Sequence, residues 1–138
     1  MPGLDAGAYR EDFDFLDHSF FTDFRAQRSD DWGDSNVHAC DFHSSHGTIS
    51  WTDWDDYEID NEWEGMESCE SGDTVGMLLN LDGGTLTVYR NNRRLGVMQD
   101  GLSGPYCWYA SLLSRQTVTD TVSIKRCALP NSDGAMAT

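Results

Sequence analysis

Apolar and polar residues alternate along the second half of the chain, and this alternation predicts a series of short β-strands. Every second residue is apolar in the ranges 75–81, 86–88 and 95–97, which is the period of a strand that buries one face. The connections at 82–84 and 91–92 consist of Asp, Gly and Asn, which accept the backbone angles of tight turns. We therefore expect antiparallel strands joined by hairpins.

Further strand-like segments lie on both sides of this region. The ranges 36–42 and 48–52 combine β-branched, aromatic and polar residues around a polar connection at 43–47. Residues 105–113 are apolar on both faces, which is typical of a central strand that is covered on both sides. Residues 117–125 alternate again and predict a half-buried strand. Because no long helical stretch separates these segments, the sequence predicts an all-β fold, an antiparallel β-sandwich.

The first part of the chain has a helical pattern instead. Phe13, Leu16, Phe20 and Phe24 recur at spacings of three and four residues, with Asp residues between them. This spacing predicts an amphipathic helix with an acidic outer face that packs on the sandwich, and a partner-binding helix is the alternative. The expected organisation is a helical insertion, a β-sandwich and a disordered tail, at residues 1–31, 32–129 and 130–138 respectively.

The charge of the chain excludes some classes of function. The 138 residues, a length typical of one domain, carry a formal net charge of −15. Residues 1–70 contain 19 Asp and Glu but only three Arg. Such a chain lacks the basic surface that sequence-independent nucleic-acid binding requires, and it opposes docking on anionic membranes. No segment is apolar over the length that a membrane span needs.

Four cysteines stand far apart, at positions 40, 69, 107 and 127, and form no Cys-x-x-Cys pair. The N-terminus has no secretory pattern, so we expect free thiols in the cytoplasm or another reducing intracellular compartment. Cys107 lies within the apolar range 105–113 and is expected to be a small core residue. No cofactor is expected.

Four short motifs follow one another in the second half of the chain. Residues 72–80 are Gly-Asp-Thr-Val-Gly-Met-Leu-Leu-Asn, and residues 86–96 are Leu-Thr-Val-Tyr-Arg-Asn-Asn-Arg-Arg-Leu-Gly. Tyr-Cys-Trp-Tyr-Ala-Ser-Leu at 106–112 and Val-Ser-Ile at 122–124 come after them. In this order the four motifs resemble the SPRY domain family. The family's first strands have no counterpart in residues 1–31, so the chain resembles the C-terminal part of such a domain.

The resemblance implies an antiparallel β-sandwich without a catalytic centre. SPRY domains are protein-interaction modules that hold peptides or protein surfaces on loops at one end. By the same resemblance, a candidate contact loop lies just before the last strand, at Leu113, Ser114, Arg115 and Gln116.

The segment 53–70 carries nine carboxylates in 18 residues. Like charges this close must stay solvated or be neutralised by a cation. An acidic rim beside aromatic residues suits a basic peptide, through charge steering and aromatic anchoring. We therefore expect a non-catalytic module that binds a protein or peptide partner, and a basic sequence would suit it. The candidate residues are Trp54, Tyr57 and Trp63 as anchors, with Glu58, Asp60 and Glu62 as the charged rim.

Two metal sites are alternative interpretations. Ca²⁺ binding would make the chain a lectin-like, Ca²⁺-dependent β-sandwich that uses the same acidic loop. The oxygen ligands would come from Asp56, Glu58, Asp60 and Glu67. Zn²⁺ prefers nitrogen and sulfur ligands, which are offered by His38, Cys40, His43 and His46. A solvated loop and a surface hairpin are the simpler interpretations of the two segments.

The sequence contains no local catalytic signature such as Gly-x-Ser-x-Gly, and strands rather than helices follow its glycine pairs. We therefore expect no enzyme. The one basic cluster, Arg90, Arg93 and Arg94, flanks the turn at 91–92. We expect it to pair with the acidic half, where each exposed pair contributes roughly 0–1 kcal/mol.

Overall fold

The computed structural model describes residues 19, 21–26, 37–110 and 123–126. Over these residues the chain forms one short helix and six strands. The helix is α1 (Phe21–Ala26), and the strands are β1 (Ala39–His43), β2 (Thr48–Thr52), β3 (Tyr57–Asp60), β4 (Val75–Asn80), β5 (Thr85–Arg90) and β6 (Arg93–Gln99). All strand pairs are antiparallel and form two three-stranded sheets, ordered β1-β2-β3 and β4-β5-β6. The expected all-β, sandwich-like class is confirmed.

The first sheet contributes one face to the main core. Phe42 of β1 lies opposite Ile49 of β2, and Cys40 lies opposite Trp51. All four side chains belong to the core cluster or pack against it. The other face carries Ser50, which is fully buried, so β2 is covered on both sides.

The central strand of the second sheet, β5, is also buried on both faces. Leu86 and Val88 belong to the core cluster, whereas Thr87 and Tyr89 lie on the opposite face and are buried as well. The pairing of β5 with β4 is regular, but two register shifts interrupt its pairing with β6. Each shift changes which residues share a face. In β6 the alternation of the sequence predicts a buried Val97. The structure instead buries Met98, and Val97 is half-buried.

One hydrophobic cluster takes residues from both sheets. Its buried members are Val37, Ile49, Trp63, Leu86, Val88, Met98 and Leu102. Of the apolar face expected at 75–81, Met77 and Leu79 pack against this cluster. Val75, the first residue of β4, and Leu81, which directly follows β4, are exposed. Each fully buried large apolar side chain of this cluster contributes roughly 1.5–3 kcal/mol to the free energy of unfolding.

Two hairpin turns have the backbone conformations that the sequence predicts. Asn91 and Asn92 have φ angles of 49° and 67°, the left-handed region that a two-residue hairpin turn requires. In the β4–β5 turn, Gly84 has a φ of 67° and its carbonyl accepts from the N–H of Leu102 at 2.9 Å. A Cβ at Gly84 would lie 3.0 Å from the Leu102 backbone, so this position favours glycine.

The connection between β3 and β4 joins the two sheets and packs on the protein along its length. Trp63 places its ring in the core cluster. The N–H of Cys69 donates to the carbonyl of Ser44 at 2.7 Å, which fastens the connection to the β1–β2 turn. Gly47 in that turn has a φ of 76°, and a Cβ there would clash with the Glu67 backbone. The second half of the acidic segment is therefore not a free loop.

Helix α1 confirms part of the predicted N-terminal helix. Phe24 is fully buried, as the spacing predicts, and Phe21 is buried beside it. The other three residues of the predicted stripe lie outside the described residues. No helix of the described part is long and apolar enough to cross a membrane.

The prediction of a strand at 105–113 is wrong for residues 105–110, the part that the structure describes. Residues 105–110 form no strand, and Cys107 and Trp108 are exposed rather than core residues, Trp108 at 57%. Instead, Tyr106 packs against the core cluster and donates its hydroxyl to the Val37 carbonyl at 2.9 Å. An aromatic residue with a polar tip can bury its ring in this way without strand pairing.

The last expected strand, 117–125, is also wrong where it is described. Residues 123–126 are exposed and unassigned to any strand, and Ile124 lies in solvent. The rest of this range, residues 111–113 and the expected tail lie outside the described residues.

Candidate functional site

Trp54 is buried between β2 and β3 and is not the exposed anchor that the sequence predicts. Its exposure is 0%, and its ring centroid lies 4.4 Å from that of Phe24 and 5.7 Å from that of Phe21. Arg25 of the same helix donates to the Trp54 carbonyl at 3.3 Å and forms an ion pair with Asp55. The prediction was wrong because the rings of α1, not solvent, face this position.

Side-chain hydrogen bonds hold the turn around Trp54. Thr52 Oγ1 accepts from the Trp54 N–H at 2.9 Å and donates to the Asp56 carbonyl at 2.5 Å. Asp53 Oδ1 accepts from the N–H groups of Asp55 and Asp56 at 2.8 and 3.0 Å. The backbone of Trp54 has a φ of 71°, which is rare for a bulky residue. Asp53 therefore stabilises the turn.

Trp63 is likewise a core residue instead of an exposed anchor. Its exposure is 8%, and its Nε1–H donates to the Gly47 carbonyl at 2.7 Å. The ring meets Phe42 edge-on at a centroid distance of 6.3 Å. Gly65 lies directly against the ring, where any Cβ would clash. Trp63 therefore fastens the β3–β4 connection to the first sheet.

Glu67 and Asp73 form an ion-pair network with the β5–β6 turn, which we call the arginine network. Arg90 donates to both carboxylates, with Nε 2.9 Å from Asp73 Oδ2. Arg93 donates to the two oxygens of Glu67 at 2.6 and 2.7 Å, and Asn91 Nδ2 donates to Asp73 Oδ1 at 2.9 Å. For Arg90 and Arg93, the expected pairing with the acidic half of the chain is confirmed at Glu67, whereas Asp73 lies outside that half.

These contacts shift the pKa values of the network. The Glu70 N–H and neighbouring side-chain donors lower the pKa of Asp73 to about 2. Hydrogen bonds from Arg93 and Arg90 lower the pKa of Glu67, and the two carboxylates raise the pKa of Arg90. All three groups therefore stay charged at neutral pH, and Glu67 is already neutralised by arginines.

The Ca²⁺ candidates are not brought together. Within residues 37–110 and the other described stretches, no group of three or more His, Cys, Asp or Glu could hold a metal ion. Asp56, Glu58 and Asp60 lie in and beside the extended strand β3, whereas Glu67 belongs to the arginine network. An extended strand cannot wrap its carboxylates around one point, as a Ca²⁺ loop must.

The Zn²⁺ candidates are not assembled either. Cys40 and His43 lie on opposite faces of β1, because their spacing is odd. Burial, followed by the charge of Asp41, raises the pKa of the Cys40 thiol to about 12, which disfavours the thiolate that metal binding requires. His46 lies in the turn after β1, where its Nδ1 contacts Ser45 Oγ at 2.9 Å.

A serine, a histidine and an aspartate meet on the face of the first sheet opposite to the core cluster. The hydroxyl of Ser50 donates to Asp41 Oδ1 at 2.6 Å. His43 Nε2 lies 3.1 Å from both the Ser50 oxygen and Asp41 Oδ1. In a Ser-His-Asp triad the serine and the aspartate contact different ring nitrogens, and the serine gives its proton to histidine. The trio here has neither property, and it links β1 to β2.

The acidic surface that remains exposed lies along β3. We call residues 56–60 the acidic edge, since β3 ends its sheet within the described residues. Tyr57 and Ile59 are 39% and 53% exposed on one face. Glu58 is exposed on the other face, which it shares with Asp60, as the alternation predicts. Of the three predicted anchors, Tyr57 alone is at the surface.

Trp51 is a site residue that the sequence reasoning missed. It is half-buried on β2 directly opposite Glu58. It lines two hollows, one of about 260 Å³ towards β6 and one of about 120 Å³ beside Asp53, Asp56 and Glu58. Because Trp51 shares its strand face with Ile49, the local sequence pattern predicts a core residue. The pairing of β2 with β3 places Trp51 opposite Glu58, and this pairing cannot be read from the local pattern.

The other candidate residues contribute less to this surface. Glu62 is exposed after β3, and its N–H donates to Asp60 Oδ1 at 2.9 Å. The candidate loop Leu113, Ser114, Arg115 and Gln116 lies outside the described residues.

Comparisons with known proteins give no relative. No protein-family model matches the chain, and neither a curated protein nor a solved structure matches it.

Proposed function

We propose that this chain is a non-catalytic protein-interaction module that binds a basic segment of a partner protein along the acidic edge. The observation that carries the proposal is the exposure of both faces of β3 at the end of the described sheet. Tyr57 and Ile59 are exposed on one face and Glu58 on the other. An extended partner segment could therefore contact aromatic, aliphatic and acidic side chains of one strand.

The charges of the acidic edge support a cationic partner. Within the part of the chain that is described, Asp56, Glu58 and Asp60 form no ion pair, unlike the carboxylates of the arginine network. The net charge of −15 adds a long-range attraction for a basic segment. Because salt screens such attraction, we expect the association rate to fall as the ionic strength rises.

The geometry of β3 supports binding by strand addition, in which a partner strand pairs with the end of a sheet. β3 has four residues, and a short, charged end strand resists pairing with its own copies. A basic partner strand relieves this repulsion. Apolar partner residues would then lie beside Tyr57 and Ile59, and basic residues beside Glu58 and Asp60.

The resemblance of the second half of the chain to SPRY domains supports the same class of function, and it stays a prediction. The cytoplasmic location and the second contact loop at 113–116 stay predictions as well.

The test is an NMR titration of the ¹⁵N-labelled chain with an acetylated, amidated decapeptide of alternating arginine and threonine. We expect saturable shifts centred on residues 56–60. A peptide with glutamate in place of arginine should cause none. Shifts spread over all acidic surfaces, or no shifts with the arginine peptide, would contradict the proposal.

Matched variants separate the acidic edge from general charge. The Asp56→Asn/Glu58→Gln variant should lower the affinity for the arginine peptide and flatten its dependence on salt. The Glu70→Gln/Asp82→Asn variant makes the same charge change at exposed positions outside the acidic edge and should alter neither. Equal effects of the two variants would show that net charge, not the acidic edge, attracts the peptide.

A further inference from the structure

The larger of the two hollows that Trp51 lines is a cleft of about 260 Å³ between the two sheets, next to the acidic edge. Ile49, Trp51 and Trp63 line it from the first sheet and the connection that follows. Val97 and Met98 line it from β6. Its lining is therefore mixed, because Asp60, Gln99 and Asp100 add polar surface to these apolar and aromatic side chains.

Two carboxylates also line this cleft, one from each sheet. Asp60 belongs to β3, and Asp100 directly follows β6. Neither carboxylate forms an ion pair with any residue described. Asp60 Oδ1 accepts from the Glu62 N–H. A cleft that is lined in part by apolar side chains and holds two carboxylates is complementary to a side chain that has an alkyl stem and a cationic end.

The size of the cleft favours a single side chain over a small-molecule ligand. Pockets for small molecules usually measure ~300–1,000 Å³, and this cleft is smaller. Trp51 adds an aromatic ring, which attracts cations by its negative face. The carboxylates of the second hollow, Asp53, Asp56 and Glu58, add negative charge near the same ring.

We propose that this cleft binds the guanidinium side chain of one arginine in the partner's basic segment. The inference rests on the proposed function, because the acidic edge would hold the segment beside the cleft. Arginine fits better than lysine for two reasons. Its planar group stacks on aromatic rings, and its five N–H donors can serve carboxylates from two directions, whereas the lysine ammonium is a compact point charge.

A small probe tests the cleft without the peptide. Nα-acetyl-arginine methylamide, added to the ¹⁵N-labelled chain, should cause saturable shifts of the Trp51 indole N–H and of the amides of residues 97–100. The citrulline analogue has nearly the same shape without the charge, and it should bind at least tenfold more weakly. The lysine analogue should also bind more weakly, and equal affinity for lysine would contradict the choice of arginine.

A conservative double variant tests the two carboxylates. Asp60→Asn/Asp100→Asn keeps the side-chain shapes and retains an acceptor oxygen for the Glu62 N–H. We expect it to weaken binding of the arginine probe at least tenfold and to leave the citrulline analogue unchanged. The Glu70→Gln/Asp82→Asn variant is the control for net charge and should bind the arginine probe normally.

The decapeptide separates this inference from the proposed function. If the peptide binds the acidic edge but exchange of any single arginine for citrulline and the Asp100→Asn variant leave its affinity within twofold, the arginine cleft is wrong and the proposed function stands. If the arginine probe binds the cleft but the peptide does not bind the edge, the proposed function is wrong. If neither ligand binds, both are wrong.

Discussion

Replacing Trp54 by alanine and by glycine tests two features of the β2–β3 turn, the burial of the indole ring and the left-handed backbone. The ring is fully buried against Phe21 and Phe24. Truncating a core tryptophan to alanine costs ~3–5 kcal/mol of unfolding free energy, which is a large part of the stability of a small domain. Both variants should therefore be much less stable than the original chain.

The relative stability of the two variants tests the left-handed backbone conformation of residue 54. At an ordinary position glycine is less stable than alanine by ~0.5–1 kcal/mol, because it loses more conformational freedom on folding. At a φ of 71°, a residue with a Cβ pays ~1–2 kcal/mol that glycine does not. The second effect is larger, so the glycine variant should be more stable than the alanine variant by about 0.5–1 kcal/mol.

Urea unfolding followed by far-ultraviolet circular dichroism measures both effects. With an m-value of about 2 kcal/mol/M, a loss of about 4 kcal/mol lowers the unfolding midpoint by about 2 M. A fixed concentration of sucrose in all samples keeps the weaker variants folded without urea. A loss below about 1 kcal/mol in both variants would refute the burial of the ring. An alanine variant more stable than the glycine variant would refute the argument from the backbone.

Three further predictions concern the second sheet and the thiols. Asn92→Gly should leave the urea midpoint unchanged or raise it. Asn91→Gly should lower it, because Asn91 Oδ1 also accepts from the N–H of Thr74, directly before β4, at 2.9 Å, a bond that contributes about 1 kcal/mol. Because the pKa of Asp73 is lowered to about 2 from 3.8, its contribution is complete above pH 4 and is lost as the pH falls through 2. Asp73→Asn should therefore lower the urea midpoint at pH 7 and flatten its decline between pH 4 and 2.5, and equal declines would contradict the network. At pH 8 iodoacetamide should label the exposed Cys107 much faster than Cys40, whose pKa is raised to about 12, and equal rates by mass spectrometry would contradict this burial.

The strands that the sequence predicts correctly are those whose signals are local. In β4, β5 and β6 the alternation coincides with turn residues that accept positive φ, and Asn91 and Asn92 have these angles. The β1–β2 hairpin also lies where its two segments and polar connection predict it. In each case a short stretch of chain contains both the alternation typical of a strand and the turn residues that end the strand.

The site residues that the sequence misplaces depend on partners far away in the chain. Trp54 and Trp63 stand among carboxylates, which suggests a solvated segment. Phe24, 30 positions before Trp54, and the Gly47 carbonyl, 16 positions before Trp63, bury them instead. Trp51 was missed for the same reason, since the pairing register decides that it lies at the acidic edge.

The aromatic residues after β6 explain why the sequence wrongly predicts a strand at 105–113. Tyr106 and Trp108 alternate with other apolar residues, which has the period of a covered strand. Tyr106 buries its ring by docking its hydroxyl on the Val37 carbonyl, while Trp108 is exposed. The pattern alone does not distinguish a paired strand from an irregular segment that docks single side chains.

The account's central claim is that a basic segment lies along the acidic edge, and paramagnetic relaxation tests it most directly. The arginine–threonine decapeptide would carry a nitroxide label at one end, and the ¹⁵N-labelled chain would report on its position. We predict that signals of residues 56–60 and of the Trp51 indole broaden, and that chemical reduction of the label restores them. Broadening centred on the Asn91–Asn92 turn or on the outer face of β5, with residues 56–60 unaffected, would contradict the claim.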